Sequence, residues 1–378
     1  MRIHDIRAVG LTGATPEGGW SNELRPEDSV HTLIVVRTDE GLTGLGSVFT
    51  NAGLVRAALG VLEPLYRDEN ALEPERVSEK LHQHTFWLGR GGSLTHTISG
   101  IDIALWDILG QATGQPVGRL LGGRYRDRVL PYASLLMDQP GPLAEHLQAI
   151  AARGFRAFKI GWGPFGRFSA DLDEEIVSAA RDAIGPEALL MVDAGGSDAY
   201  WSNGLKWALR TAEMLAAYDV AWFEEALSPD ALDDYVVLRR QARVPIAGGE
   251  VLTRRQSFAP WLRAGAFDIV QPDVTKVGGI SEERRIGWMA QEHGVRFIPH
   301  GWNTCVGLAS DLQIASAFPD TDLVEYLTGS AFIDELSAIP WKLDRDGMLV
   351  IPERPGLGIE INLDRLAEYA GADVTDLR

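Results

Sequence analysis

Three acidic residues close short apolar runs: Asp193 in LLMVDA, Glu224 in VAWFEE and Glu250 in VPIAGGE, spaced 31 and 26 residues apart. Each interval is about one strand-plus-helix unit. If each run is a parallel strand, the three side chains converge on the rim of strand C-termini, where barrel enzymes place their active sites. A charge at the end of an apolar strand is costly unless something compensates it, and neighbouring carboxylates raise one another's pKa. A hard divalent cation removes both costs. All-oxygen donors suit magnesium, with positions left for water or a bidentate substrate. Any one of these acids is as well explained by pairing with a nearby Arg or Lys, but three in consecutive units favour a metal.

The next two runs end in Asp273 (FDIVQPD) and His300 (VRFIPH). A carboxylate on one imidazole nitrogen fixes the tautomer and raises basicity, leaving the other nitrogen to move a proton. A lone histidine at a strand end is more often structural; beside three candidate ligands and an aspartate it reads as a base. Glu325, in DLVEYL, could donate to a developing oxyanion when protonated, or simply pair with a cation. Lys159, in RAFKIG, points to the same rim if alternation around Phe158 and Ile160 holds. There it could neutralise a substrate carboxylate; a snorkelling surface lysine is the alternative.

These residues need elements to carry them. From Val129 onward eight apolar runs (LPYASLL, RAFKIG, LLMVDA, VAWFEE, VPIAGGE, FDIVQPD, VRFIPH, DLVEYL) alternate with helical patterns, as in parallel strands covered on both faces. A closed (β/α) barrel explains this better than an open sheet. Up to about Gly123 the pattern is α+β: HTLIVVRT and GLTGLGSV flank a glycine turn, and helix-like stretches follow through Val55 and Ile101. Between the first strand and HTLIVVRT, the polar stretch from Thr12 to Asp28, carrying Trp20, has the composition of a surface loop and is expected to form a lid. After Tyr326 the rhythm is lost, and extended segments are expected to return to the first domain. The expected organisation is a capping domain over residues 1–125, a catalytic barrel over 126–328 and a returning segment over 329–378.

The chain has 378 residues and a formal charge of −18, which disfavours nucleic acid and anionic membranes as partners. Its one cysteine, Cys305, excludes an internal disulfide and a cysteine-based zinc cage. No window approaches the ~18 apolar residues of a membrane span, and a cytoplasmic location is expected.

The ordered series SGIDIALWDILGQATGQPVGRLLGG, VDAGG, WFEEA, AGGEV, QPDVTKVGGIS and the strand ending in His300 resembles the enolase superfamily, specifically its mandelate racemase-like branch. The resemblance covers nearly the whole chain. It implies a modified (β/α)8 barrel of (β/α)7β type, an α+β cap built from both chain ends, one Mg²⁺ per subunit and abstraction of a proton α to a carboxylate. By position it implies Asp193, Glu224 and Glu250 as ligands, Asp273 and His300 as acid/base dyad, Glu325 near the enediolate and Lys159 on the substrate carboxylate. It also implies a homo-oligomer, a dimer or an octamer. The muconate-cycloisomerase-like branch has a lysine where this chain has Asp273, which argues against that branch.

Departures from the family pattern narrow the chemistry. The usual Lys-x-Lys appears as Lys159, Ile160, Gly161, so the base normally found on the opposite face is missing. Racemisation needs both faces; elimination manages with one. The reading is therefore dehydration of an acid sugar, an aldonate or aldarate, to a 2-keto-3-deoxy acid, with His300 as base and then acid. Gly195 and Ala226 replace a common asparagine and proline, and Trp20, Trp162 and Trp302 are candidate substrate contacts, with Asn303 beside them. A racemase, epimerase or lactone cycloisomerase remains the alternative if a residue such as His31 serves the other face. A lapsed sugar-acid-binding protein and a Schiff-base aldolase rank lower.

Overall fold

In the computed structural model, which describes residues 1–13, 30–198 and 200–370, the chain opens with an antiparallel sheet. Its strands are β1 (Ile3–Leu11), β2 (His31–Thr38) and β3 (Thr43–Phe49), in the order β1-β2-β3. Within HTLIVVRT the central four residues, Leu33 to Val36, are all apolar, and both faces of β2 are covered. Leu33 and Val35 join the large core that includes the barrel, while Ile34 and Val36 pack under the helices Ala52–Tyr66, Pro74–His84 and Gly92–Thr113.

Eight parallel strands follow: β4 (Arg128–Leu136), β5 (Ala157–Gly161), β6 (Leu189–Asp193), β7 (Val220–Glu224), β8 (Ile246–Gly248), β9 (Ile269–Val270), β10 (Arg296–Phe297) and β11 (Leu323–Leu327). They pair in the order β10-β9-β8-β7-β6-β5-β4-β11. Between β10 and β11 side chains bridge the seam: Thr321 Oγ1 donates to the Phe297 carbonyl at 2.9 Å, and Arg296 pairs with Asp322. Among the described residues seven helices connect consecutive strands, from Pro140–Ala152 to Cys305–Ser316, whereas after β11 the short helix Ala331–Asp334 leads into no further parallel strand. The fold is thus an α/β barrel of (β/α)7β type beneath an α+β capping domain. No helix among the described residues is long and apolar enough to cross a membrane.

The last segment touches both parts. A twelfth strand, β12 (Leu349–Val350), pairs antiparallel with the start of β4, and the helix Leu363–Ala370 lies against β1, where Thr12 N donates to the Tyr369 carbonyl at 3.0 Å. The SGIDIALWDILG motif joins cap to barrel. Asp102 accepts from Ser281 N at 2.9 Å and from Ser281 Oγ at 2.5 Å, at the N-terminus of the barrel helix Gly279–Glu292, where a carboxylate is favoured. Trp106 Nε1 donates to the same Ser281 Oγ at 3.0 Å, and Ser99 Oγ accepts from Gly278 N at 2.8 Å. A second carboxylate in the motif, Asp107, accepts from Leu357 N at 2.9 Å and Leu45 N at 3.1 Å, tying the returning segment to β3.

β3 and the helix Gly92–Thr113 approach backbone to backbone: a Cβ added at Gly46 would lie 1.9 Å from the Gly100 carbonyl oxygen. Gly46→Ala is therefore expected to destabilise the protein by ~1–3 kcal/mol, read as a lower thermal midpoint. Gly60→Ala, on the exposed side of its helix with nothing within 4 Å of the added atom, should leave the midpoint unchanged or raise it. Equal midpoints for Gly46→Ala and the parent protein would contradict the close approach.

Candidate active site

Side chains two residues apart on a strand share a face, and this periodicity builds the site. One ring of buried side chains fills the barrel interior: Tyr132, Ala157, Met191, Trp222, Ala247, Ile269, Ile298 and Leu323, one from each strand or its immediate continuation. Two residues further along the same strands stand Ser134, Lys159, Asp193, Glu224, Gln271, His300 and Glu325, all buried. The strand carrying Ala247 breaks the rule. Gly249 adopts φ +120°, so the chain turns and delivers Glu250 to the rim one residue later.

The carboxylates of Asp193, Glu224 and Glu250 offer ligand atoms within 4.8 Å of one another. Burial, and then the charge of Glu224, push Asp193 well above the usual carboxylate range. Glu225, whose Oε2 accepts from Ser197 Oγ at 2.5 Å, is pushed up in the same way by burial and by Glu250. Two ammonium groups stand beside the triad: Lys159 Nζ lies 2.6 Å from Glu224 Oε1 and 3.8 Å from Asp193 Oδ2, and Lys276 Nζ lies 3.8 Å from Glu250 Oε1. The charge deficit, the all-oxygen donor set and the spacing fit a hard divalent cation. Two of the three carboxylates are also aimed by neighbouring N–H donors. Asp193 accepts from Trp162 Nε1 at 3.1 Å and Gly195 N at 2.8 Å, and Glu224 Oε2 accepts from Trp222 Nε1 at 2.8 Å and Gln271 Nε2 at 2.9 Å.

On the far side of Glu250 is the dyad. His300 Nδ1 and Asp273 Oδ2 are 2.7 Å apart, and the other oxygen of Asp273 accepts from Thr275 N at 2.7 Å and Thr275 Oγ1 at 2.5 Å. Asp273 is held below the usual carboxylate range: burial opposes ionisation, but Lys276, His300 and Thr275 outweigh it. With Nδ1 committed, Nε2 faces Glu250 Oε2 at 3.1 Å. Burial would depress His300, and the Glu250 and Glu325 carboxylates more than reverse that, so its pKa is raised.

Glu325 departs from the expectation of a protonated donor. Its Oε1 lies 2.9 Å from Lys159 Nζ, and its Oε2 accepts from Gly301 N at 2.8 Å and Tyr132 OH at 3.3 Å. Against burial, which would raise it, Lys159 and His300 bring its pKa down to about 2. It is held as a carboxylate, and much of the charge of Lys159 is already engaged by Glu224 and Glu325.

A cavity of about 160 Å³ opens onto this rim, lined by Lys159, Asp193, Glu250 and His300 among polar groups, and by Phe49, Leu135, Leu136, Trp162, Val251 and Trp302 among apolar ones. Trp162 and Trp302 are each 8 % exposed. Trp20 and nearly all of the expected lid, residues 14–28, lie outside the described residues. Asn303 is fully buried, its Nδ2 3.5 Å from Asp311 Oδ2, and does not line the cavity. His31 does not line it either; it packs edge-on against Phe49 and Phe332, and burial depresses its pKa to about 4. From the cap, Phe49 at the end of β3 reaches the cavity wall.

Lys276 was not singled out from the sequence, although it stands three residues after Asp273 in QPDVTKVGGIS. Its Nζ lies 3.7 Å from Asp273 Oδ2, 3.8 Å from Glu250 Oε1 and 4.3 Å from the Phe49 ring centroid, on the cavity wall. Gln271 and Trp222 were likewise visible only as parts of strands; their roles depend on which face each side chain takes.

The chain matches the family description "Enolase C-terminal domain-like" over residues 142–365 and "Mandelate racemase / muconate lactonizing enzyme, N-terminal domain" over residues 26–122. It is 34% identical to the D-galactarolactone cycloisomerase of Agrobacterium fabrum, over 99% of this chain and 100% of that one. It is 31% identical to the D-xylonate dehydratase of Haloferax volcanii, over 97% and 94% of the two chains. The crystal structure of the 3,6-anhydro-D-galactonate cycloisomerase from Zobellia galactanivorans superposes with a TM-score of 0.87 at 28% identity, covering 98% of this chain and 99% of that one. The chain is an enzyme of the enolase superfamily and belongs to its mandelate racemase-like branch.

Proposed function

We propose that this chain dehydrates an acid sugar, an aldonate or aldarate, to a 2-keto-3-deoxy acid in a Mg²⁺-dependent reaction that passes through an enediolate. The observation that carries the reading is the His300–Asp273 dyad facing the Asp193–Glu224–Glu250 triad, with Gly161 where a second base would stand. Mg²⁺ on the triad would supply Lewis-acid stabilisation of the negative charge that develops on the substrate carboxylate.

The chain's own groups account for the proton movements. His300 Nε2 takes the α-proton, and the electron pair of that C–H bond moves into the carboxylate to give the enediolate. Asp273 keeps the imidazole in the tautomer that can accept at Nε2 and stabilises the imidazolium that results. That imidazolium returns the proton to the β-hydroxyl as its C–O bond breaks, water leaves, and the enol becomes the ketone. Lys159, held between Glu224 and Glu325, presents positive charge to the substrate carboxylate at the cavity wall.

A second reading has specific support. A lactone cycloisomerase would use the same α-proton abstraction but expel a ring oxygen instead of a hydroxyl, giving an isomer without loss of water. The similarity to the Agrobacterium enzyme extends over both full chains, and one wall of the cavity is largely apolar.

The test is incubation of the purified protein with Mg²⁺ and a library of aldonates, aldarates and their lactones, with semicarbazide trapping of 2-keto products and mass spectrometry of each hit. Products lighter by one water support dehydration, and isobaric products support cycloisomerisation. His300→Asn should lower turnover by ~10²-fold or more while the far-UV spectrum and thermal midpoint stay close to those of the parent. Retained turnover in that variant contradicts the proposed base.

A further inference from the structure

Trp162 follows β5 with φ +61°, a left-handed backbone that is costly for a bulky residue and persists only where its surroundings enforce it. Its backbone N–H donates to the Asp193 carbonyl at 3.0 Å, and its indole Nε1 to Asp193 Oδ2 at 3.1 Å. Gly195 N donates to the other carboxylate oxygen, Oδ1, at 2.8 Å. The indole lies over Gly195, itself at φ +64°: a Cβ there would fall 2.6 Å from Trp162 Cδ2. Gly161 pairs in register with Asp193, and a Cβ on it would fall 3.1 Å from the Asp193 Cβ. Two of the departures from the family pattern, Gly161 and Gly195, therefore belong to one arrangement, in which absent side chains make room for an indole against a single carboxylate.

We propose that Trp162 is the positioning residue for the metal ligand Asp193, its indole N–H fixing the carboxylate toward Glu224 and Glu250 while its ring closes the side of the cavity where a second base would otherwise stand. A carboxylate with an N–H on each oxygen cannot rotate without losing one of them, so the lone pairs left over face the rim. Donors behind a ligating group pre-orient it and raise metal affinity. The comparison within the same cavity is Trp302, equally exposed at 8 %, whose indole Nε1 has no hydrogen-bond partner among the described residues. The inference rests on the triad being a metal site and does not depend on which acid sugar is the substrate.

The experiment is calorimetric titration of the metal-stripped protein with Mg²⁺, for the parent, Trp162→Phe and Trp302→Phe. Trp162→Phe keeps an aromatic ring and removes the donor, so its Kd is expected to rise by ~10-fold or more, with Trp302→Phe unchanged. An unchanged Kd in Trp162→Phe, or equal weakening in both variants, overturns the proposal while leaving the metal site standing. Failure of the parent protein to bind Mg²⁺ overturns both. If Trp162→Phe does not fold, a crystal structure of the parent with Mg²⁺ decides: an Nε1–Oδ2 contact kept within hydrogen-bond distance supports the role, and an indole turned away from Asp193 overturns it.

Discussion

The constraint that organises the molecule is the burial of three carboxylates on one rim with too little positive charge beside them. Asp193, Glu224 and Glu250 are 3 %, 0 % and 7 % exposed, and carboxylates taken out of water stay ionised only if paired, hydrogen-bonded or bound to a cation. Lys159, itself shared with Glu325, and Lys276, shared between Glu250 and Asp273, compensate part of the deficit. The remaining donors are neutral N–H groups from Trp162, Gly195, Trp222 and Gln271, which orient the ligand oxygens without neutralising them. That combination, fixed oxygens with an unmet charge, could hold a divalent cation.

The rest of the architecture follows from keeping those oxygens fixed. Strand alternation sets an apolar residue beneath each functional one, so Trp222 supports Glu224 both by packing and by its own N–H. Gly249 supplies the one irregularity, turning the chain so that Glu250 reaches the rim. The cap is fastened to the barrel through Asp102 and Ser281, far enough along the helix Gly92–Thr113 to leave Phe49 of β3 over Lys276. The cavity thus has a polar floor belonging to the barrel and an apolar wall shared with the cap. The His300–Asp273 pair stands where these meet, and Trp162 and Gly161 line the same cavity.

Much of this was legible in the sequence because parallel strands in a barrel have a strong signature: apolar runs at regular spacing with polar residues at their C-terminal ends. Asp193, Glu224, Asp273 and His300 stand at or just beyond strand ends for that reason, whereas Glu325 lies in the middle of β11. What one sequence does not carry is which charges meet. Glu325 reads as a possible acid until Lys159, Gly301 N and Tyr132 OH are seen to converge on it as a carboxylate. Lys276 is one cation in a loop until the turn after Asp273 brings it over Phe49. Trp162 looks like a pocket wall, and only the approach of its indole to Gly195 and Asp193 shows that two missing side chains and one aromatic ring are a single feature. His31 offered a second base by residue type alone, and burial between Phe49 and Phe332 removes it.

The central claim is that the rim carboxylates hold a divalent ion within reach of His300. The most direct measurement is the anomalous difference map of a crystal equilibrated with Mn²⁺ as a scattering substitute for Mg²⁺. The account predicts one peak per chain at ~2.0–2.2 Å from oxygens of Asp193, Glu224 and Glu250, on the cavity side and adjacent to His300. A map with no peak at the triad, or with the ion bound by other residues, would contradict it.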